Sequence, residues 1–193
     1  MSRLMSNPAT PGSAVLLTVE DFERICERPE NADKRLELVN GEVVEAPRPA
    51  KKHGFLQSRL TIRLGNYAEA RRPPDFVVCE SGVVIRESPA TVRGPDVAYF
   101  RDRAAEDFTE TWFRNPPLIA VEVVSPDENR KELAAKIDDF LAMGVRYVWA
   151  VHPDNSLVLV YSRDAKPKSY DHGNTLTVPE LPGFELKLAD LFA

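Results

Sequence analysis

Glu122 lies within Leu118-Ile119-Ala120-Val121-Glu122-Val123-Val124, an otherwise apolar run. A carboxylate left unpaired there would cost on the order of several kcal/mol or be driven to hold a proton. Strand alternation puts Ala120, Glu122 and Val124 on one face, and the run ends at Ser125-Pro126. Glu122 is therefore expected near the C-terminal end of a central strand, where α/β sheets place ligands. It is either a functional acid or a buried glutamate paired with an arginine. Asp96, after Pro95 and before Val97-Ala98-Tyr99-Phe100, would alone read as a turn former or cap. An Asp and a Glu delivered from neighbouring strands offer hard oxygens to Mg²⁺, which takes one or two protein carboxylates and completes its shell with water and phosphate oxygens. Such an ion would also neutralise Glu122. Glu37 alternates away from Leu36 and Leu38, and is either a third acidic member or a solvated hairpin charge.

Lys136 follows Glu122 by 14 positions and stands one helical turn from both Leu133 and Phe140, at the flank of an apolar stripe. It can reach the carboxylates, orient a water or stabilise charge on a phosphate, or it can pack its stem on Phe140 with the ammonium in water. His53 and Gln57 are four apart; His53, near the Leu60–Leu64 stripe, is a hydrogen-bonded core histidine or a group facing the carboxylates. Local charge adds a further clue. The chain carries a net −5, yet between Ala46 and Pro74 the residues Arg48, Lys51, Lys52, Arg59, Arg63, Arg71 and Arg72 oppose only Glu69, so a +6 segment is set against −11 elsewhere. Lys52, Arg59 and Arg63 share one helix face, forming either a ridge that tracks a phosphate backbone or a merely solvated surface. Zinc spacing, a phosphate-cradling glycine loop and a nucleophile elbow are all missing.

These groups need elements to position them. Thr18 and Asp21 read as a capping box for a helix running to about Glu27. Asn40-Gly41 suits a two-residue hairpin turn between Arg35–Val39 and Glu42–Glu45. Leu56, Leu60, Leu64 and Tyr67 mark a helix from Lys51 to about Arg72, ended by Pro73-Pro74. Strands are expected at Phe76–Cys79, Gly82–Arg86, Pro95–Phe100, Leu118–Val124, Tyr147–Val151 and Leu157–Tyr161. A helix is expected over Asn129–Met143, stopped by Gly144, with a final short segment over Leu186–Phe192. The 193 residues, 43% hydrophobic, can bury one core. The expectation is a tail over residues 1–14 and one α/β domain with a mixed sheet over 15–193. No membrane span or secretory signal is apparent, and two lone cysteines, Cys26 and Cys79, fit a reducing cytoplasm better than a disulfide framework.

Pro95-Asp96, Glu122-Val123-Val124-Ser125-Pro126, Lys136 and Gly144-Val145-Arg146-Tyr147-Val148-Trp149, in this order and spacing, resemble the Uma-type family of putative restriction endonucleases, a bacterial branch of the PD-(D/E)XK nucleases. Leu36-Glu37-Leu38-Val39-Asn40-Gly41-Glu42 resembles its first hairpin, His53-Gly54 its helix opening and Leu181-Pro182-Gly183-Phe184 its closing segment, so the likeness runs from about Arg35 to Phe192. The resemblance implies a restriction endonuclease-like core, with a mixed sheet flanked by helices. It further implies Asp96 and Glu122 as Mg²⁺ ligands (Mn²⁺ as substitute), Glu37 as a further acidic ligand, phosphodiester hydrolysis in DNA, and a homodimer. The superfamily's lysine two residues after the second acid is Val124 here, and Lys136 stands where this branch carries its lysine instead. Glu132 and Phe140 replace the family's usual Asp and Tyr. If Lys136 does not reach the acids, the chain is a nuclease-like scaffold that binds nucleic acid or a protein without cutting.

Overall fold

A computed structural model of the chain describes residues 16–46, 48–125 and 129–193. The expected tail over residues 1–14 and the Pro126 of the quoted motif lie outside the described residues. Thr18 and Asp21 close the capping box, each side chain accepting the other's backbone N–H at 3.1 Å, and start α1 (Val19–Cys26). The hairpin of β1 (Arg35–Val39) and β2 (Glu42–Ala46) turns through Asn40 and Gly41, at φ 52° and 81°. Positive φ at both central positions is what a type I′ turn demands. After α2 (Lys51–Ala70) come β3 (Phe76–Val78), β4 (Val83–Glu87), β5 (Ala90–Arg93), β6 (Val97–Phe100) and β7 (Ile119–Val123). Then follow α3 (Arg130–Met143), β8 (Tyr147–His152), β9 (Leu157–Tyr161), β10 (Lys168–Tyr170), β11 (Thr175–Thr177), β12 (Glu185–Lys187) and α4 (Leu188–Phe192).

The expected mixed sheet is present, and among the described residues two smaller sheets accompany it. The mixed one has six strands in the order β10-β9-β8-β7-β6-β3, with β7 and β8 parallel and joined through α3, and its other pairs antiparallel. A second, antiparallel sheet runs β2-β1-β5-β4, and β11 pairs with β12. The cause is β5, which the sequence pattern did not announce. It has only four residues, Ala90-Thr91-Val92-Arg93, too few for its apolar/polar alternation to stand out, and it recruits the hairpin into a separate sheet through β1. Alternation along β7 sorts two layers. Ile119, Val121 and Val123 face α2, through Leu56, Leu60 and Leu64, whereas Ala120 faces Leu133, Ile137 and Phe140 of α3. Each layer buries apolar surface at roughly 25 cal/mol per Å², so the central strand is clamped from both sides and Glu122 is carried into the α3 side.

α1 closes the outer side of the second sheet, with Phe22 fully buried and stacked on Trp112 at 5.5 Å. Gly82 makes room for that indole, because a Cβ there would stand 2.2 Å from Trp112 Cε3. Gly82→Ala is expected to destabilise the fold by about 1–3 kcal/mol through overpacking, read as a lower midpoint in urea unfolding with an unchanged slope.

Candidate active site

The antiparallel register Val97↔Val121 of β6 and β7, carried one residue further, sets Asp96 across from Glu122. Both are buried, at 3% and 4% exposure. Asp96 Oδ2 accepts the Val123 backbone N–H at 2.7 Å and faces His53 Nε2 at 3.0 Å, while Oδ1 meets Arg35 Nη2 at 3.1 Å. Glu122 Oε2 lies 3.0 Å from Lys136 Nζ, and Glu122 Oε1 is buried with no hydrogen-bond partner. Lys136 Nζ also touches Glu37 Oε1 at 3.0 Å and donates to the Gly94 carbonyl at 3.3 Å. Periodicity left Lys136 between two readings; it reaches inward because α3 lies with Leu133 and Phe140 on the sheet and turns its flank to the carboxylates.

Burial acts on every member of the group but prevails only at Glu122. It pushes the Glu122 carboxyl well above the usual glutamate range, against the pull of Lys136 and with the push of Asp96 and Glu37. Burial also opposes charge on Asp96 and Glu37, yet both end below their ordinary range. His53 and Lys136 hold Asp96 down, and Lys136 and Arg93 hold Glu37 down. For Lys136, burial is outweighed by Glu122, Glu37 and Asp96, so the ammonium is kept charged. Glu122 is thus the one carboxylate of the three that lacks enough positive charge around it. Glu37 and Asp96 keep Lys136 charged even where Glu122 holds a proton.

Several residues that sequence reasoning passed over belong to the same cluster. Arg35 shares a β1 face with Glu37, a period-2 signal that could have flagged it. Its guanidinium spans Asp96 and, at 3.4 Å, Glu80 Oε2. Glu80, at φ 53°, is held in a conformation uncommon for its type and also accepts from Gln57 Nε2 at 3.1 Å. Gln57 further donates to the Asp96 carbonyl at 3.0 Å, so His53 and Gln57 together dock α2 on Asp96. Arg93 and Asp139 complete the group behind Glu37. Val124 packs against the α3 cluster, Phe140 is core, and Glu132 is exposed beside Asn129.

Lys52, Arg59 and Arg63 do not form one free ridge. Lys52 pairs with Asp154 at 3.0 Å, both exposed, and Arg59 donates to the Asp190 and Ala193 carbonyls while stacking on Phe55. Arg63 is exposed on the same helix. The three acids do not converge either: among the described residues no group of three His, Cys, Asp or Glu is placed to hold a metal. Glu37 has Lys136, Arg93 and the Gly94 N–H on its oxygens. The orphaned, buried Glu122 Oε1 beside Asp96 does fit a hard cation, since a two-carboxylate site is sufficient for Mg²⁺.

A family model, Uma2, described as putative restriction endonuclease, matches residues 19–189. The crystal structure of a putative nuclease from Anabaena variabilis superposes with a TM-score of 0.76, covering 91% of this chain and 97% of that chain at 21% identity. That likeness shows the fold, a restriction endonuclease-like α/β core. No curated protein matches the chain. Among the described residues, no helix is long and apolar enough to cross a membrane.

The raised Glu122 carboxyl has a thermodynamic signature. A folded-state value above the unfolded one gives stability that is complete below the usual glutamate range and lost as pH rises through the folded value. Glu122→Gln removes the group that must ionise. In EDTA it is expected to melt several degrees above wild type at pH 8, at roughly 2–4 °C per kcal/mol, with the difference shrinking toward pH 4. The same difference at both pH values would contradict a buried carboxyl that resists ionisation.

Proposed function

The chain belongs to the Uma2 family of putative restriction endonucleases, and from that premise we propose that it is a metal-dependent nuclease hydrolysing phosphodiester bonds in DNA. The observation that carries this reading is the Lys136 ammonium 3.0 Å from Glu122, beside Asp96 at the entrance to the adjacent strand and an unpartnered Glu122 oxygen. An inward Lys136 favours hydrolysis over a scaffold that binds without cutting. Asp96 and Glu122 would hold a divalent ion, Mg²⁺ or Mn²⁺, whose chemistry is to polarise a phosphoryl oxygen and acidify a bound water.

The chain's own groups perform the rest. Lys136 supplies fixed positive charge where negative charge gathers on the phosphoryl oxygens in the transition state, in a site with little water to screen it. Arg35, about a quarter exposed at the mouth, can turn its fork from Asp96 to a non-bridging phosphate oxygen. His53 and the Val123 N–H keep Asp96 ionised and aimed. Lys52 and Arg63 provide grip on the backbone. The exposed Lys52–Asp154 pair is worth at most about 1 kcal/mol, so it exchanges readily for a phosphate. Two strands call for two sites, which a symmetric dimer would provide.

Purified protein incubated with supercoiled plasmid and Mg²⁺ is expected to nick it. Asp96→Ala, Glu122→Ala and Lys136→Ala should each fall by about 10²-fold or more. Equal nicking by all four preparations would sink the assignment. The salt dependence of DNA binding gives a second check, with Lys52→Ala and Arg63→Ala each lowering the slope of log K against log salt by about 1.

A further inference from the structure

A lysine side chain is long, flexible and ordinarily solvates its charge in water, so a fixed ammonium needs fixed oxygens. Lys136 has three, on Glu122, Glu37 and Gly94. Glu37 is itself held on both oxygens, Oε1 by the Gly94 N–H at 3.0 Å and Oε2 by Arg93 Nη1 at 3.0 Å. The β1–β5 register Leu38↔Val92, carried one residue on, puts Glu37 and Arg93 across from each other. Arg93 then turns Nε and Nη2 onto Asp139 Oδ2, at 3.0 and 2.8 Å, and Arg86 holds Asp139 Oδ1 at 2.7 Å. Asp139 is three residues beyond Lys136 on α3, so the pairs close a ring: Lys136, Glu37, Arg93, Asp139 and back along the helix. All four side chains are 10–14% exposed.

We propose that this ring positions Lys136: Glu37 orients the ammonium instead of ligating metal, and Arg93 and Asp139 are positioning residues that hold Glu37. The proposal rests on the hydrolytic reading for its purpose but not for its geometry. Three donors, two of them cationic, already take three of the roughly four lone-pair sites of Glu37, both on Oε1 and one on Oε2. Asp139 draws Arg93 against β1 and prevents its guanidinium from turning to solvent. A closed ring also sets the height of α3 over the sheet, since sliding the helix would break two ion pairs together.

The decisive measurement is the labelling rate of the Lys136 amine by an N-hydroxysuccinimide ester, read by peptide mass spectrometry on the folded full chain. Glu37→Gln and Arg93→Met are expected to label roughly tenfold faster than wild type, the factor that one charge-assisted hydrogen bond supplies. Arg93→Lys should lie between, and the isosteric Asp139→Asn should follow Arg93→Met, which keeps the test valid if a bulkier change fails to fold. Mn²⁺ titration followed by electron paramagnetic resonance separates the two roles of Glu37. Glu37→Gln should keep its affinity within about twofold of wild type, whereas Glu122→Gln should lose about tenfold or more. In nicking assays the ring variants should lose kcat with KM unchanged. Labelling at the wild-type rate in both Glu37→Gln and Arg93→Met, or a Mn²⁺ loss in Glu37→Gln as large as in Glu122→Gln, would overturn the proposal. A wild type that neither binds Mn²⁺ nor nicks DNA would overturn the hydrolytic reading alone, because the labelling rates still decide the ring.

Discussion

Glu122 is a carboxylate on a central strand with helices on both faces of its sheet, and a charge in that position must be compensated or lose its ionisation. The compensation arrives from far away in sequence. α3, the crossover that makes β7 and β8 parallel, carries Lys136 back over the strand, and the second sheet carries Glu37 to meet it. Neither cation nor anion could stay buried alone. Together they form a group in which Lys136 is firmly charged, Glu37 and Asp96 are firmly ionised, and Glu122 remains short of positive charge. A buried ion pair adds little to stability by itself, since desolvation offsets attraction. What sets this group apart is the remaining imbalance on Glu122, whose Oε1 is buried with no hydrogen-bond partner.

The site sits on the seam of two sheets. Gly94 and Pro95 link β5 of the smaller sheet to β6 of the larger, and Gly94 bonds both Glu37 and Lys136 through its backbone. One half of the site is built on Asp96, held by His53 from α2 and Arg35 from β1; the other is built on Glu122, held from α3. Glu80 adds local strain at positive φ, and its carboxylate ties Arg35 and Gln57 to the same edge. Strain and buried charge gathered at one place, in a fold otherwise well packed, are typical of a region shaped for chemistry.

The charge distribution also takes on a different meaning in three dimensions. A net −5 suggests a poor partner for DNA, and the +6 stretch around α2 suggests a dedicated grip. In the fold, part of the positive charge is internal: Arg59 satisfies carbonyls at the C-terminal end of α4, and Arg93 and Lys136 neutralise buried acids. The positive charge left on the surface is correspondingly less than a count along the sequence suggests.

Local periodicity carried most of the elements. The capping box at Thr18, the Asn40-Gly41 turn, the α2 and α3 stripes and the apolar run of β7 are each written within one helical turn or a few strand residues. Glu122, Asp96 and Lys136 were legible for the same reason, each being a polar residue that breaks or flanks a short-range pattern. The four-residue β5 was not legible in this way, because Ala90-Thr91-Val92-Arg93 is too short for its alternation to stand apart from the turns around it. With it were hidden Arg93 and the role of Asp139, whose contacts span 46 residues, and the Arg93–Glu37 pair, which spans 56. Which acids meet Lys136, and which of them keeps an unpartnered oxygen, depends on the register between β1 and β5 and on the height of α3, and these are set by packing over the whole core. Residues out of keeping with their surroundings can be read along the chain; their partners emerge only on folding, because side-chain pairing across sheets is a long-range choice that no local pattern encodes.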